Sequence, residues 1–481
     1  MTPQQKYAKA KKEAEEQLDD GLISKKRMQG GLMLYSEFLQ SKQNNIKNIG
    51  FEPGKLSGIL FPFQNDLTKW AIRKGKAALW AGTGLGKTFM QVSWADQVVN
   101  KTGKKVLILA PLAVSSQTIE EAKKINIDVN NIGSGNIQIS NYEQLHNIDP
   151  ADYIGIVLDE SGILKNFAGK FKQKIIESFY QTPYKLCCSA TPSPNDFTEI
   201  GNHAEFLNIC SRSEMLSTYF VHDSGETQKW RLKGHAEKEF FKWLSTWAVM
   251  ISKPSDIGYE NGGFDLPPLN VYQHTVKSKS DFGCLFPELA RTLNERRQAR
   301  RESLTERCDL AASLMNGSDE SWLYWCDLNI ESTTLAGIIK NSIEVTGSLK
   351  NEVKEKRLLG FSHGEYKNMV VKPKIAQFGL NWQHCHNMVF VGLSDSFEAM
   401  YQAIRRCWRF GQKEPVNVHI IISEKEGNVL ANIQQKEAKA EKMLAQMVKC
   451  MGDFTKTEIT NTKKQTIEYK PTEKIKLPEW V

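Results

Sequence analysis

The sequence lacks the features that mark secreted, zinc-binding and membrane-spanning proteins. Its nine cysteines show no CxxC spacing, so neither a zinc ribbon nor a disulfide framework is indicated. The charged N-terminus, MTPQQKYAKAKKEAEE, has no apolar core of the kind that a signal peptide needs. No apolar run approaches the length that crosses a bilayer. These absences predict a cytoplasmic protein without a membrane partner.

The charge of the chain is also nearly balanced. Its 63 Lys and Arg residues exceed its 55 Asp and Glu residues by 8, a mild basic excess that is compatible with a polyanionic partner without requiring one. A chain of 481 residues is too long for one ordinary core and indicates two or three domains.

Strand-like apolar runs alternate with helical patterns in two separate regions. The first region contains KAALWA, KVLILAPL, IGIVLDES and YKLCCSAT, and the second contains SWLYWCDL, SIEVTG, NMVVKP, NMVFVGL and VNVHIII. Between them, GGFDLPPL indicates a hinge or domain boundary, because clustered glycine and proline interrupt regular structure. Strands that alternate with helices pair in parallel. The sequence therefore predicts an α/β protein with two parallel-sheet lobes and helical insertions.

These patterns also predict the limits of the domains. The first lobe is expected over residues 46–268 with a helical extension, and the second over residues 269–450 with a basic helical insertion near 285–315. The remaining segments are a helical N-terminal segment at 1–45 and a polar, Lys- and Thr-rich tail at 451–481, which is expected to be extended or disordered.

A glycine-rich loop lies between a strand-like run and a helical pattern in LWAGTGLGKTFMQ. Glycines allow backbone N–H groups to surround phosphates, and the following helix N-terminus adds a partial positive charge. Lys87 is expected to reach the β- and γ-phosphates, and the Thr88 hydroxyl to bind Mg²⁺. The predicted ATP-binding residues of the loop are Gly82, Thr83, Gly84, Gly86, Lys87 and Thr88.

Two adjacent carboxylates follow the apolar run in IGIVLDESG. They lie at the carboxyl end of a predicted strand, where open α/β sheets hold their ligands. Asp159 suits the metal ion, directly or through water, and Glu160 suits orientation and deprotonation of an attacking water. The pair is a weak signal alone and a strong one together with the phosphate loop.

The order of AGTGLGKT, LDES, CCSATP and QAIRRCWRFGQ resembles motifs I, II, III and VI of superfamily 2 helicases. GLGKT, the LKN after DES, the LPP linker and the final RFGQ resemble the Snf2-like branch. FPFQNDLTKWA, TPYKLCCSATPSPNDF, FVHDSGETQKWRLKGHAEKEF and QFGLNWQHC are similar to phage- and prophage-encoded DEAD/DEAH-box helicases. The resemblance covers about residues 50 to 450, and implies a protein of a bacterial or phage-infected cell.

The resemblance implies roles for further residues. Gln64 matches the glutamine that reads the adenine edge, so ATP is the expected nucleotide. The residues that match the coupling motifs III and V are Ser189, Thr191, Gly379, Leu380 and Asn381. The residues that match motif VI are Gln402, Arg406 and Arg409. The chain departs from the family at Ala81, at DES in place of DEAD or DEAH, and in a shorter motif V.

The family has two RecA-like lobes with ATP between them and nucleic acid across both, so the resemblance implies that motif VI meets the ATP of the other lobe. An arginine supplied across such a cleft stabilises charge on the γ-phosphoryl group, typically by a factor of about 10³ to 10⁵ in rate. Arginine suits this role because its planar fork binds in a bidentate manner and stays charged.

The nucleic-acid track is less well indicated than the ATP site. Pro111 and the Ser115-Ser116 pair follow one strand, and Asn141 and Tyr142 follow the next, where hydroxyls and amides suit phosphates. Ordinary capping is an equally good interpretation. The basic helix with Arg296, Arg297, Arg300 and Arg301 suits either backbone phosphates or solvent. Packing is the favoured interpretation for Trp322, Trp325, Trp382 and Trp408, and a metal site in His384-Cys385-His386 is rejected.

Three functional hypotheses remain open. The first is an ATP-driven motor on nucleic acid, with duplex DNA favoured by the Snf2-like resemblance. The second is a helicase that separates strands on single-stranded DNA or RNA. The third is an ATP-gated clamp or assembly subunit. ATP and Mg²⁺ are the expected cofactors in each case, DNA is the expected partner, and a protein partner that sets the target is a further possibility.

Overall fold

The computed structural model describes residues 48–111, 114–165, 170–193, 195–223, 226–277, 292–315, 317–376, 380–394 and 396–464. The chain divides into a unit at Met1–Asn48 and a unit at Ile49–Val481, and all the elements described here belong to the second. The predicted helical segment at 1–45, the start of the basic insertion before residue 292 and the last 17 residues, 465–481, lie outside the described ranges.

The first lobe is built on a parallel sheet of seven strands. Its helices are α1 (Pro62–Lys74), α2 (Lys87–Thr102), α3 (Ser115–Lys124), α4 (Lys170–Ser178), α5 (Ile200–Phe206), α6 (Arg212–Tyr219) and α7 (Glu237–Ser245). Its sheet strands are β1 (Lys76–Ala81), β2 (Lys105–Ala110), β3 (Asn130–Asn131), β4 (Ile137–Asn141), β5 (Tyr153–Asp159), β6 (Tyr184–Ser189) and β9 (Ala248–Ile251). An antiparallel hairpin of β7 (Phe220–Asp223) and β8 (Glu226–Leu232) lies apart from this sheet.

The strand order of the first sheet brings the predicted motifs to one edge. The order is β3-β4-β2-β5-β6-β1-β9, and β1, β5 and β6 are neighbours. Asp159 pairs in register with Cys188, and Trp80 pairs with Ser189. The phosphate loop, the two carboxylates and motif III therefore all follow adjacent strand ends, where α/β sheets bind ligands.

The second lobe is built on a parallel sheet of six strands. Its strands are β10 (Leu269–Val276), β11 (Trp322–Trp325), β12 (Ser342–Val345), β13 (Asn368–Val371), β14 (Asn387–Phe390) and β15 (Val416–Ser423). Its helices are α8 (Leu293–Glu302), α9 (Leu304–Met315), α10 (Asn329–Ile338), α11 (Asn351–Ser362), α12 (Pro373–Ala376), α13 (Phe397–Ile404) and α14 (Gly427–Lys464). The strand order is β10-β15-β14-β11-β13-β12.

Each lobe has its own apolar core, because strands in parallel sheets are covered on both faces. Trp70 and Trp94 belong to the first core, and Trp325 and Trp382 to the second. The burial of Trp325 and Trp382 agrees with the packing interpretation of the tryptophans. The predicted α/β architecture with two parallel-sheet lobes is confirmed, and the strand-like runs read from the sequence form β1, β2, β5, β6 and β11 to β15.

The C-terminal helix α14 replaces the first part of the tail expected at 451–481. The helix continues to Lys464, because Met447, Met451, Thr455 and Ile459 repeat every four residues and are all buried. Near its start, Val429 and Ile433 belong to the second core, whereas Ile459 belongs to the first. The expectation of an extended or disordered tail was therefore wrong for residues 451–464.

Two polar contacts attach the distal half of α14 to the first lobe. Lys74 forms an ion pair of 2.8 Å with Glu458, and the Gln446 side-chain amide donates to Glu237 over 2.7 Å. One helix thus packs on both lobes. No helix in the described ranges is long and apolar enough to cross a membrane.

Candidate active site

The phosphate loop follows β1 and ends where α2 begins. Gly84 and Gly86 have φ angles of 90° and 75°, a left-handed region that favours glycine. Gly86 caps α2 through its backbone alone, so the first N–H groups of that helix have no side-chain cap. The buried Thr83 hydroxyl has no hydrogen-bond partner among the described residues. This loop therefore presents unsatisfied donors at a helix N-terminus, which suits an anion.

The Lys87 ammonium is held by backbone carbonyls in the interior of the site. It donates to the carbonyl oxygens of Ala81 over 2.9 Å and Gly82 over 3.3 Å. Burial lowers the pKa of Lys87, and the nearby carboxylates of Glu160 and Asp159 oppose that shift. A desolvated ammonium beside a helix N-terminus is a suitable partner for phosphate oxygens.

Asp159 ends β5 and is fixed by two neighbours. The Gln91 side-chain amide donates to its Oδ1 over 2.7 Å, and the Tyr142 hydroxyl donates to its backbone carbonyl over 2.6 Å. Burial raises the pKa of Asp159, while the bond from Gln91 lowers it. The sequence analysis missed Gln91, although its position four residues after Lys87 places both on one face of α2.

Glu160 adopts a strained backbone conformation, with φ at 57°. The Ser189 hydroxyl donates to its Oε1 over 2.7 Å, and the Thr191 backbone N–H donates to the same hydroxyl over 3.1 Å. Burial raises the pKa of the Glu160 carboxyl, while Lys87 and Ser189 lower it. Motif III, at the end of β6, therefore orients the second carboxylate.

Arg406 and Arg409 come together at one carbonyl of the second lobe. Helix α13 ends at Ile404, so the two arginines lie in the turns after it and not on one helical face. Their Nη1 atoms donate to the Leu380 carbonyl oxygen over 3.2 Å and 3.1 Å. Arg406 also donates to the backbone oxygen of Gln402 over 3.0 Å. Burial lowers the pKa of both guanidinium groups.

The two lobes meet at a cleft of about 320 Å³ that both sets of residues line. The predicted residues that line it are Gln64, Thr83, Gly84, Gly86, Lys87, Thr88, Pro111, Asp159, Glu160, Asn381, Gln402, Arg406 and Arg409. A Cβ atom added to Gly84 would lie 2.8 Å from the backbone nitrogen of Phe410. The phosphate loop is thus in direct contact with motif VI of the other lobe.

Gln64 lines the cleft, and both the nitrogen and the oxygen of its side-chain amide bind backbone groups. Its Nε2 donates to the Leu85 carbonyl over 2.9 Å, and its Oε1 accepts from the Phe61 N–H over 3.0 Å. The rings of Phe61, Phe264 and Phe410 cluster beside it, with Phe264 and Phe410 centred 4.5 Å apart. Gln64 shapes the phosphate loop in this state, and adenine recognition stays a prediction.

Glu121 is a third carboxylate in the cleft that the sequence analysis did not find. It lies on α3, is 9% exposed, and lines the cleft together with Arg409. Its Oε1 accepts from Gln117 over 2.8 Å and from Asn381 of the second lobe over 2.9 Å. Its charge raises the pKa of Arg409 against the effect of burial. The stretch EEAKK has the composition of a solvated helix face, so no sequence signal distinguishes Glu121.

A groove of about 650 Å³ between the lobes holds part of the predicted nucleic-acid track, including Pro111, Asn141 and Tyr142. Asn141 caps the following turn by accepting from the Gln144 N–H over 3.1 Å, which is the capping interpretation. Ser115 begins α3 and does not line the groove; its neighbour Ser116 donates to Glu355 of the second lobe. Gly379 lies outside the described residues.

Thr191 and Gln402, two of the predicted site residues, bind each other across the lobes, and two of the other arginines have partners of their own. Thr191 accepts from the side-chain amide of Gln402 over 3.5 Å, a long contact between the lobes. Arg405 stacks over the rings of Trp408 and Tyr401, at 4.3 Å and 5.1 Å from their centres. Arg300, on the basic helix α8, is buried and paired with Glu426 over 3.0 Å. These contacts show where the residues lie, and their roles in catalysis or nucleic-acid binding stay predictions.

Comparison with known proteins matches only part of this chain to a family. Residues 321–411 match the helicase conserved C-terminal domain. A search of curated proteins found no match. Among solved structures, one similar structure is the Sulfolobus solfataricus SWI2/SNF2 ATPase core in complex with dsDNA. It is 16% identical, with a TM-score of 0.39, and the match covers 86% of this chain and 97% of that one.

The matched segment runs from β11 to the turns after α13, and so includes Asn381, Gln402, Arg406 and Arg409. The match supports the resemblance to superfamily 2 helicases that the motifs carry, whereas the phage or prophage type and the DEAD/DEAH-box type stay predictions. Residues 321–411, the part of the second lobe that brings the arginines to the cleft, are similar to the helicase conserved C-terminal domain.

Proposed function

We propose that this chain is an ATP-dependent motor on nucleic acid, which couples ATP hydrolysis between its two lobes to movement along duplex DNA. One observation carries the proposal. Lys87 and Glu160 of the first lobe line the same cleft of about 320 Å³ as Arg406 and Arg409 of the second. Phosphate-binding groups on one side and charge-neutralising arginines on the other are the parts that phosphoryl transfer needs.

The residues of the cleft fit ATP and Mg²⁺. The unpartnered Thr83 hydroxyl and the uncapped N-terminus of α2 supply donors for phosphate oxygens, and Lys87 supplies a positive charge. Thr88 and Asp159 are hard oxygen ligands of the kind that Mg²⁺ prefers. The metal ion supplies neutralisation of the phosphate charge when it is bound.

In this proposal Glu160 orients the attacking water and accepts its proton. Ser189 holds the carboxylate in place, and a pKa raised by burial makes the group a better proton acceptor than a solvated glutamate. Arg409 and Arg406 stabilise the negative charge that develops on the transferred group. Because the arginines belong to the second lobe, hydrolysis depends on closure of the two lobes.

Movement on nucleic acid follows from the connection between the cleft and the groove. Pro111 and Glu160 line both the cleft and the interlobe groove, so a strand in the groove lies beside residues that contact the nucleotide site. The long contact between Thr191 and Gln402 joins motif III to motif VI. A change of lobe position on hydrolysis therefore acts on both ligands, which is the basis of coupling.

The test is steady-state ATP hydrolysis by the full chain, at one fixed salt concentration, because binding to nucleic acid depends strongly on salt. Rates are compared without nucleic acid and with single-stranded DNA, duplex DNA and RNA. Strong stimulation by duplex DNA over the other ligands is expected, followed by displacement of a third strand from a triplex in the presence of ATP. Lys87→Ala is the blank for contaminating hydrolysis.

The alternatives give different results in the same assay. Stimulation by single strands or RNA, with separation of a labelled fork, would replace the duplex motor by a strand-separating helicase. Nucleic-acid binding that ATP modulates without net turnover would identify a clamp. Hydrolysis that no nucleic acid changes would contradict the motor, and would direct attention to a protein partner that closes the lobes.

A further inference from the structure

A cavity of about 780 Å³ lies at the carboxyl edge of the second sheet and is rich in basic side chains. Its floor is formed where β11, β13 and β14 end, at Asp327, Lys372 and Ser394. Arg297 of α8 and Lys439 of α14 complete its walls. We call this space the basic cavity. It lies in the position where open parallel sheets bind their ligands.

The charges of the basic cavity are unequal. Seven basic and two acidic residues line it, and both acidic residues are already paired. Asp327 binds Arg300, and Glu398 binds Lys165 of the first lobe. In the part of the chain that the structure describes, Arg297, Lys372 and Lys439 form no ion pair. After these two pairs are formed, the walls of the cavity still carry an excess of positive charge that their own carboxylates do not neutralise.

A helix terminus adds to this positive potential. Helix α13 begins at Phe397 with Ser396 as its cap, and the Ser396 hydroxyl accepts from the Ala399 N–H over 3.2 Å. Ser396, Phe397 and Ala399 all line the basic cavity. The positive end of a helix dipole and several uncompensated cations thus face one space, a combination that favours phosphate groups.

The interlobe groove has a different character. The interlobe groove is lined by three basic residues and four acidic ones, among them Glu143 and Glu355, so it does not attract polyanions by charge. It adjoins the basic cavity, because Lys165, Lys374 and Glu398 line both. A nucleic acid that entered the groove would therefore find its strongest phosphate site in the neighbouring cavity.

We infer that the basic cavity binds backbone phosphates of the nucleic acid on which the chain acts, and that Arg297 and Lys439 are its recognition residues. This inference rests on the proposed function. It assigns phosphate contacts to α8 and α14, two helices outside the helicase motifs quoted above. Cations that track a backbone supply affinity without reading sequence, as a motor that moves along its substrate requires.

The experiment measures binding of the full chain to a fluorescein-labelled 30-base-pair duplex by anisotropy, over a range of salt concentrations. The variants are Arg297→Glu, Lys439→Glu and the double variant. The logarithm of the binding constant falls linearly with the logarithm of the salt concentration, and each lost phosphate contact reduces the steepness of that fall by about 0.9. We expect the double variant to reduce the steepness by about 2, since two contacts are lost, and to reduce affinity at least tenfold at low salt.

Lys449→Glu is the matched control. It makes the same charge change at an exposed position of α14, ten residues and thus about 15 Å further along the helix, which exceeds the Debye length at physiological salt. The control is expected to bind like the wild type. ATP hydrolysis without nucleic acid serves as the test of folding, because neither Arg297 nor Lys439 lines the ATP cleft.

The outcomes separate this inference from the proposed function. A double variant that hydrolyses ATP normally and binds the duplex with the wild-type salt slope would overturn the basic cavity as a phosphate site, with the motor intact. Equal losses in the double variant and in Lys449→Glu would also overturn it, since they would indicate an effect of net charge. A wild-type chain that binds no nucleic acid would overturn both.

Discussion

Asn381 of the second lobe donates a hydrogen bond of 2.9 Å to the carboxylate of Glu121 in the first lobe. The residue before it, Leu380, offers its carbonyl to both Arg406 and Arg409. Two consecutive residues thus join the arginines to a carboxylate across the cleft. The same short segment therefore binds the arginines and makes one of the contacts between the lobes.

We expect Asn381→Ala to lower nucleic-acid-stimulated turnover about tenfold. The substitution removes the donor that crosses the cleft. A hydrogen bond to a charged group contributes about 1.5–3 kcal/mol, and about 1.4 kcal/mol of activation free energy corresponds to a factor of ten in rate. The lost bond stabilises the closed arrangement of the lobes. The kcat with DNA should therefore decrease, while the rate of hydrolysis without DNA changes less. Steady-state kinetics with and without duplex DNA measure this difference.

Gln117→Ala is the control for this prediction. Gln117 donates to the same Glu121 oxygen over 2.8 Å, but both residues belong to α3 in the first lobe. Its removal should leave the DNA-stimulated rate near that of the wild type. Equal losses in the two variants would mean that the bonds serve only to hold the Glu121 side chain.

Arg409→Ala is expected to lower kcat by about 10³ with little change in ATP affinity, because charge stabilisation by an arginine finger acts mainly in the transition state. Arg409→Lys should not restore the rate, since an ammonium does not reproduce the planar fork. Single-turnover hydrolysis and equilibrium binding of a fluorescent ATP analogue measure the two quantities separately.

The neighbouring Arg405 offers a matched comparison. Its guanidinium stacks over Trp408 at 4.3 Å and it does not line the cleft. Arg405→Ala should therefore retain turnover within a few fold of the wild type. An Arg409→Ala protein that hydrolyses ATP as fast as Arg405→Ala would contradict catalysis shared between the lobes.

The parts of the site that the sequence predicted are those with a local signature. The glycine loop, the strand-end carboxylates and the two arginines each belong to a short pattern whose chemistry is independent of distant residues. Even so, the arginines meet through the Leu380 carbonyl and not through a helical face, because α13 ends at Ile404. Spacing alone does not specify where that helix ends.

Glu121 could be recognised as a site residue only from the folded structure. Glu121 lies in a stretch that is typical of a solvated helix, and the residue that binds it across the cleft, Asn381, is 260 positions away in the sequence. The C-terminal helix is a different case, because Met447, Met451, Thr455 and Ile459 carry a helical period in the sequence. The polar composition around them concealed that period and favoured an extended tail.

Met451→Ala should destabilise the protein by about 2–5 kcal/mol, the usual cost of removing a buried methionine side chain. Met451 is fully buried on the part of α14 that packs on the first lobe. Urea unfolding followed by circular dichroism measures the loss. Lys449→Ala, at an exposed position two residues earlier, is the control, and an equal loss there would contradict docking of this part of the helix.

The buried carboxylates should cost the protein stability at neutral pH. Burial raises the pKa of Asp159 above its ordinary value of 3.8, so the folded state binds a proton more tightly than the unfolded state does. Stability is therefore highest below the unfolded pKa, decreases as pH rises through the folded pKa, and stays at the lower level above it. Asp159→Asn removes that titration and keeps an oxygen that can accept from Gln91.

We expect Asp159→Asn to raise Tm at pH 7 by a few degrees while abolishing ATP hydrolysis. The gain should shrink as the pH is lowered through the folded pKa, because the wild-type carboxyl then becomes neutral as well. Differential scanning calorimetry of both proteins between pH 4 and pH 8 measures the difference. The control variant is Asp96→Asn. Asp96 is on the same helix as Gln91 but does not line the cleft, so this variant should keep full turnover. A Tm of Asp159→Asn at or below that of the wild type at pH 7 would mean that the ionised carboxylate stabilises the fold, contrary to the burial that raises its pKa.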